Sequence, residues 1–425
     1  MKLLSFTIGL FILTSCLSGR SMSEHEVSCH ISGDGFEAKS VRVCLIWEDI
    51  RNSNDYQEIK VRDCRFDSEV ILDTNQVYEI IIPHPEYGYS TYRTAAFFYS
   101  RDGVRFGVKP EIDGERVVLV NPTGENLKYY GYKNHRDSLF MNRYIELMAS
   151  QDSLNTIGQM YDSRWVDMCD MLNNDELSQD VRDSLTIETN KMSMSGENRT
   201  FAGQMWQKQW HAYRSDKQDY DYNYLVESDS DQMGLFVIMD NIHISQQRNS
   251  DISKWLNLYE NKYMELYPDN RMHELINTAG TAASMVEGRH YIDFTLPDEY
   301  GNEKSLTELI GGKVAVVELW ASWCRSCRVK ARSLKPLYEK YHNSGFEVVG
   351  IAREYRNLDK WIKALKDDAY PWPDLVALED NHHIWTQYGC PDVAGRTLLL
   401  DKNGIIVKID PTLEEIDSYL QCVIE

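Results

Sequence analysis

Between residues 24 and about 122 the chain sets short β-branched apolar runs between turn formers. Val41-Arg-Val-Cys-Leu-Ile-Trp47, Glu69-Val-Ile-Leu72, Val77-Tyr-Glu-Ile-Ile-Ile82 and Arg116-Val-Val-Leu-Val120 read as strands. Ser32-Gly-Asp-Gly35 and Asn121-Pro-Thr-Gly124 read as turns. Together they predict a small antiparallel β sandwich or barrel. From about 130 to 285 the spacing becomes helical. Leu139, Phe140, Arg143, Tyr144 and Leu147 form a stripe with its flank, Trp206 and Trp210 lie four apart, and Trp255, Leu258 and Tyr259 recur similarly. Such aromatic stripes are expected to pack helix on helix rather than to bind a ligand.

Residues 290 to 425 alternate the two patterns. Strands are predicted at 315–319, 346–351, 375–378, 397–400 and 405–409, and helices at 324–342, 357–367 and 412–423. Asp401-Lys-Asn-Gly404 reads as the hairpin turn between the last two strands. The order β-α-β-α-β-β-β-α predicts a mixed sheet with helices on its faces. The expected fold class is therefore multidomain. A leader at 1–16 precedes an N-terminal antiparallel β domain at 24–124, a helical middle region at 125–286 and a C-terminal α/β domain at 287–425.

Candidate chemistry lies in the last of these. Trp320-Ala-Ser-Trp-Cys-Arg-Ser-Cys327 follows the apolar run Val314-Ala-Val-Val-Glu-Leu-Trp320 and opens a helical pattern. Cys324 is thus expected near the first free amides of a helix, where the dipole favours a thiolate. Cys327, one turn on, is placed to attack a mixed disulfide on Cys324, and the short loop lets the two sulfurs join. Arg325 and Arg328 bring positive charge toward Cys324 and favour the same thiolate. Glu318, six residues before Cys324, interrupts an apolar strand.

Composition bounds the rest. The chain has 425 residues, 42% hydrophobic and 26% charged, which gives ample core for more than one domain. A net charge of −21 argues against a nucleic-acid partner. Met1-Lys2 followed by a mostly apolar stretch from Leu3 to Leu13, ending Leu13-Thr-Ser-Cys16, reads as an export signal. Its small-residue site closing on a cysteine looks like the lipobox of bacterial lipoproteins, with Cys16 as the lipidated residue. Either form of signal sends the chain to a compartment where disulfides persist. Cys29, Cys44 and Cys64 share the β-rich segment, where one disulfide among them and three buried small side chains are about equally expected. Cys390 could relay a disulfide with Cys324, although a packed hydrophobe is the favoured role; Cys422 is expected in the core. The scattered cysteines make no metal site, Gly311-Gly312-Lys313 lacks the spacing of a phosphate loop, and no cofactor is implied.

The last third of the chain resembles thioredoxin-fold proteins, specifically membrane-anchored thiol–disulfide oxidoreductases of the TlpA/ResA type. The residues that carry the resemblance are Asp293-Phe-Thr-Leu296, Gly312-Lys-Val314, Leu319-Trp-Ala-Ser-Trp-Cys-Arg-Ser-Cys-Arg328, Phe346-Glu-Val-Val-Gly350 and Leu400-Asp-Lys-Asn-Gly404. The preceding β and helical segments look, more weakly, like the domain of unknown function common before this module in Bacteroidetes-type lipoproteins. The resemblance implies an exposed nucleophile at Cys324, a resolving thiol at Cys327, a buried proton acceptor at Glu318 and a partner-facing tryptophan at Trp323. It further implies substrate binding around Gly395 and Arg396. The implied partners are protein thiols or disulfides of the cell envelope, with a membrane electron donor as a further possibility. This chain departs from the family at Ser326, where a proline is usual, and at Val329-Lys-Ala-Arg332, where a Glu and a Pro are usual. It departs again at Gly395, which takes the place of the cis-proline facing the dithiol, so a trans bond is expected there. Two alternatives are a redox-sensing or non-catalytic binding module and a thiol peroxidase. The peroxidase ranks low, because Val317 and Ala321 stand where peroxiredoxins carry their Pro and their Thr or Ser.

Overall fold

A computed structural model describes residues 23–47, 55–84, 88–111, 114–174, 176–246, 250–380, 383–390 and 395–424. Cys16 and the leader, and likewise Pro391, lie outside the described residues.

Among the described residues eight strands come first: β1 (Glu26–Asp34), β2 (Ser40–Leu45), β3 (Tyr56–Lys60), β4 (Arg65–Asp73), β5 (Val77–His84), β6 (Gly88–Phe98), β7 (Val104–Glu111) and β8 (Gly114–Leu119). They form two four-stranded sheets, in the orders β4-β1-β7-β8 and β3-β2-β5-β6. Inward-facing residues of both sheets, among them Ile31, Val43, Phe66, Ile80, Phe97 and Phe106, make one core. That is the packing of a sandwich. The expectation of a purely antiparallel domain is corrected at one place: β1 and β7 pair in parallel, with Ile31 opposite Val104. Period-two alternation decides which face a strand buries but not its direction. Direction follows from how often the chain reverses between the sheets, which a local pattern does not carry.

Among the described residues seven helices follow: α1 (Gly124–Thr156), α2 (Ser163–Leu172), α3 (Gln179–Ser195), α4 (Phe201–Glu227), α5 (Gln232–Gln246), α6 (Ser253–Lys262) and α7 (Met272–Ser284). Asp162, Ser178 and Thr200 cap α2, α3 and α4 through their side chains. α5 is apolar nearly all round. Its Leu235, Phe236 and Ile238 are buried in a core that also holds Val77 and Phe98 of the sandwich and Trp255 of α6. The expected stripes do pack: Trp206 stacks on Trp210 at 5.7 Å, beside Leu147, Phe140 and Tyr144. Leu139 is the exception and faces solvent. On a 3.6-residue helix it points away from the face that Phe140, Tyr144 and Leu147 share.

The C-terminal part contains β9 (Thr295–Pro297), β10 (Glu303–Ser305), α8 (Leu306–Ile310), β11 (Val314–Trp320), α9 (Arg325–Ser333), α10 (Lys335–Tyr341), β12 (Phe346–Glu354), α11 (Asp359–Asp368), β13 (Asp374–Leu378), α12 (Ile384–Gln387), β14 (Arg396–Leu400), β15 (Ile406–Ile409) and α13 (Leu413–Ile424). Five strands form one mixed sheet, β13-β12-β11-β14-β15. β11, β12 and β13 run parallel, and β14 and β15 antiparallel. The central β11 is buried at every position, so its sequence is a continuous apolar run broken only by Glu318. The single helix expected at 324–342 is two. It breaks at Leu334 because Pro336 begins a new helix and offers no N–H to the preceding turn.

Candidate active site

β11 ends at Trp320, the chain turns through Ala321-Ser322-Trp323, and Cys324 becomes the N-cap of α9. Its sulfur accepts the backbone N–H of Cys327 at 3.2 Å. Cys324 and Cys327 are joined in a disulfide, with Cα atoms 5.4 Å apart. The short Arg325-Ser326 link and the tight first turn of the helix bring the two side chains together. Trp323 is 49% exposed and stacks on Tyr355 at 5.9 Å.

Cys324 itself is not exposed as expected: it retains only 5% of its surface. In the closed disulfide it belongs to a buried cluster with Trp320, Ala321, Ala352, Trp361 and Val376. The charge expected around it is also redistributed. Arg328 donates to Asp368 at 2.7 and 3.0 Å, so its charge is matched in place. Arg332 shares Asp368 and makes a two-pronged contact with Asp183 of α3, at 2.9 and 2.7 Å. Arg325 alone remains exposed near the turn, within electrostatic reach of Arg182 and Asp183.

Glu318 is buried, and Thr397 on the neighbouring β14 donates its hydroxyl to the carboxylate. Burial pushes the carboxyl up to about 7, against the opposing pull of Lys330 on α9 and of the Thr397 hydroxyl. Gly395 lies against the dithiol, with φ +68°. A Cβ there would stand 2.8 Å from Cys327 Sγ and 2.7 Å from Leu319 O, so only glycine lets the backbone approach this closely. No cis peptide occurs among the described residues. Arg396 donates from Nη1 to Tyr388 O at 2.8 Å and lies 4.0 Å from Asp410.

Two further acids near the dithiol escaped the sequence reading. Asp374 is held between two indoles, accepting Trp320 Nε1 and Trp361 Nε1 at 2.8 Å each. Burial pushes its carboxyl up to about 8, with Glu354 adding to the rise. Gly350 makes room for it: a Cβ there would lie 1.8 Å from Asp374 Oδ2. Glu354, at the end of β12, accepts the N–H and the hydroxyl of Ser322, both at 2.7 Å, and burial raises it as well. The signal that singled out Glu318, a carboxylate bounding or breaking an apolar strand, was present for both.

Among the remaining described cysteines Cys29 and Cys44 are buried and Cys64 is exposed, so the expectation of three buried small side chains fails at Cys64. Cys390 is buried among apolar side chains and its thiol is pushed up to about 12 by that burial, which suits a packed side chain rather than a relay. Cys422 is corrected from core to surface. It sits two positions past the buried Leu420 and outside the stripe that Ile416 and Leu420 define on α13. No cluster of three or more metal-binding side chains occurs among the described residues.

A mixed sheet with a Cys-x-x-Cys disulfide at the N-terminus of the helix after its central strand defines a thioredoxin-like redox module. Comparison with known proteins agrees: residues 288–409 match the AhpC/TSA family. The thiol-disulfide oxidoreductase ResA of Geobacillus thermodenitrificans is 28% identical over 31% of this chain and 74% of its own. The thiol:disulfide interchange protein DsbE of Pseudomonas aeruginosa is 32% identical over 29% of this chain and 65% of its own. The chloroplastic peroxiredoxin Q of Suaeda salsa is 28% identical over 30% of this chain and 61% of its own.

Proposed function

We propose that the protein is an extracytoplasmic thiol–disulfide oxidoreductase that exchanges disulfides with protein substrates through Cys324 and Cys327. The observation that supports it most is the disulfide itself, capping α9 with the half-exposed Trp323 beside it. In the reducing direction the Cys324 thiolate attacks one sulfur of a substrate disulfide. A mixed disulfide forms and one substrate thiolate leaves, taking a proton from water. Cys327 then gives its proton to Glu318 and attacks the Cys324 sulfur. The Cys324–Cys327 bond forms, the second substrate thiolate leaves, and two electrons have passed to the substrate. Oxidation runs the same steps backward.

A carboxyl near 7 suits Glu318 to this exchange, because it can both take and return a proton at neutral pH. Trp323, the loop backbone at Gly395 and Arg396 form the surface a substrate chain would meet. Lipidation at Cys16 would hold the protein at a membrane in the cell envelope, where a membrane electron donor could re-reduce it. The test is reduction of insulin by the purified protein. Cys324→Ser should abolish it, and Cys327→Ser should accumulate a mixed disulfide identifiable by mass. Undiminished insulin reduction by Cys324→Ser would sink the proposal.

The match to a peroxiredoxin supports a second reading, a thiol peroxidase. Peroxide consumption that depends on Cys324, in a protein inert toward insulin, would favour it. Val317 and Ala321, both buried and apolar, offer peroxide no polar partner, which weighs against it.

A further inference from the structure

We propose that Glu354 and Tyr355, at the end of β12, form a latch on the Ser322–Trp323 turn that sets the stability of the Cys324–Cys327 disulfide. The inference rests on the dithiol reading above. Two adjacent residues of one strand end grip two adjacent residues of the turn. Glu354 uses both oxygens: Oε1 accepts the Ser322 N–H and Oε2 the Ser322 hydroxyl, each at 2.7 Å. Tyr355 stacks on Trp323 with an interplanar angle of 21°.

The place and the chemistry both argue for more than filling space. Glu354 retains 2% of its surface and Ser322 8%, and apolar residues, Ala352 and Val376 among them, line the adjoining cluster. An apolar side chain would plug such a position without the cost of burying a carboxylate. The carboxylate offsets that cost with two short charge-assisted hydrogen bonds to a single residue. Ser322 lies where β11 has ended and α9 has not begun, so its N–H has no ladder or helix partner and depends on Glu354.

Fixing Ser322 fixes Cys324 two residues later. Disulfide closure is an intramolecular step, and its equilibrium depends on how narrowly Cys324 is held toward Cys327. Loosening the turn lowers the effective concentration of one sulfur at the other and shifts the pair toward two thiols. Glu354 touches neither sulfur. It is a positioning residue that acts through Ser322.

The measurement is the equilibrium of the full chain with glutathione at pH 7, read by thiol alkylation and mass. Two glutathione thiols reduce the Cys324–Cys327 bond to two cysteine thiols and become one glutathione disulfide. Glu354→Ala should move this equilibrium toward the dithiol by about tenfold, which is about 30 mV for a two-electron couple. Ser322→Ala removes one of the two bonds without changing charge, and should move it the same way by about threefold, on the order of 15 mV. Glu354→Gln, which keeps the volume and one acceptor oxygen, should fall between the wild type and Glu354→Ala. Wild-type protein that does not exchange with glutathione overturns the dithiol reading and the latch with it. Exchange in the wild type, with Ser322→Ala and both Glu354 variants within twofold of it, overturns the latch alone, whatever happens to the melting temperature. A shift toward the disulfide does the same. Should Glu354→Ala fail to fold, Ser322→Ala and Glu354→Gln decide.

Discussion

Replacing Glu318 with glutamine should make the protein more stable in alkaline solution while slowing its chemistry. The carboxyl is buried in the central strand and is pushed from 4.5 up to about 7, chiefly by that burial. A group that binds its proton more tightly when folded favours the folded state while protonated. Its contribution is therefore fully present below pH 4.5 and is lost as pH rises, because the unfolded carboxyl ionises first. The loss is complete once the folded carboxyl also ionises, above about pH 7. At about 1.4 kcal/mol for each tenfold change in proton affinity, the wild type should give up about 3 kcal/mol across this window. Glutamine keeps the shape and cannot ionise, so its curve lacks that loss. Urea unfolding of both proteins from pH 4 to pH 8 should show a difference that grows by about 3 kcal/mol toward high pH. The other raised acids, Glu79, Asp240, Glu354 and Asp374, are common to both proteins and cancel in the difference. Insulin reduction should fall about a hundredfold in the variant, the low end of what general acid–base catalysis supplies. A pH-independent stability difference would show that the carboxyl is not raised, and an unchanged rate would remove Glu318 from the proton path.

Two further substitutions probe the surroundings of the dithiol. Gly395→Ala puts a methyl group 2.8 Å from Cys327 Sγ on a backbone at φ +68°, so stability should fall by about 2 kcal/mol and insulin reduction should slow; an unaltered melting curve and rate would mean the loop does not approach Cys327 this closely. Asp183→Ala removes both α3 contacts of Arg332 and leaves it Asp368 alone, so the urea midpoint should drop by the equivalent of about 1–2 kcal/mol with insulin reduction retained; no change in midpoint would show that α3 does not brace α9.

Several elements could be read from the sequence because their signal is local. The five strands of the C-terminal sheet and helices α11 and α13 appear within a few residues of where alternation and helical spacing place them, whereas the short β9, β10, α8 and α12 were not foreseen. The Cys-x-x-Cys pair stands between strand and helix because an apolar run ends and a helical one begins there. Others were not legible. β1 contains Val27, Cys29 and Ile31 between Ser and His residues, too few apolar side chains to mark a strand until its partners β4 and β7 are known. The helix expected at 324–342 hid a break because Pro336 is tolerated in a first turn as readily as it ends a last one.

The sequence by itself determined the chemistry on offer: two cysteines one helical turn apart and a carboxylate in an apolar strand. These depend on residue type and short-range spacing, which the chain states directly. Only the tertiary structure decided how that chemistry is held. Arg328, expected to lend its charge to Cys324, is matched by Asp368, forty positions away. Glu354 and Asp374 reach the dithiol turn from strands β12 and β13, 32 and 54 positions from the residues they hold. Charge compensation and burial depend on which distant segments a sheet brings side by side, and that is settled by packing the whole chain.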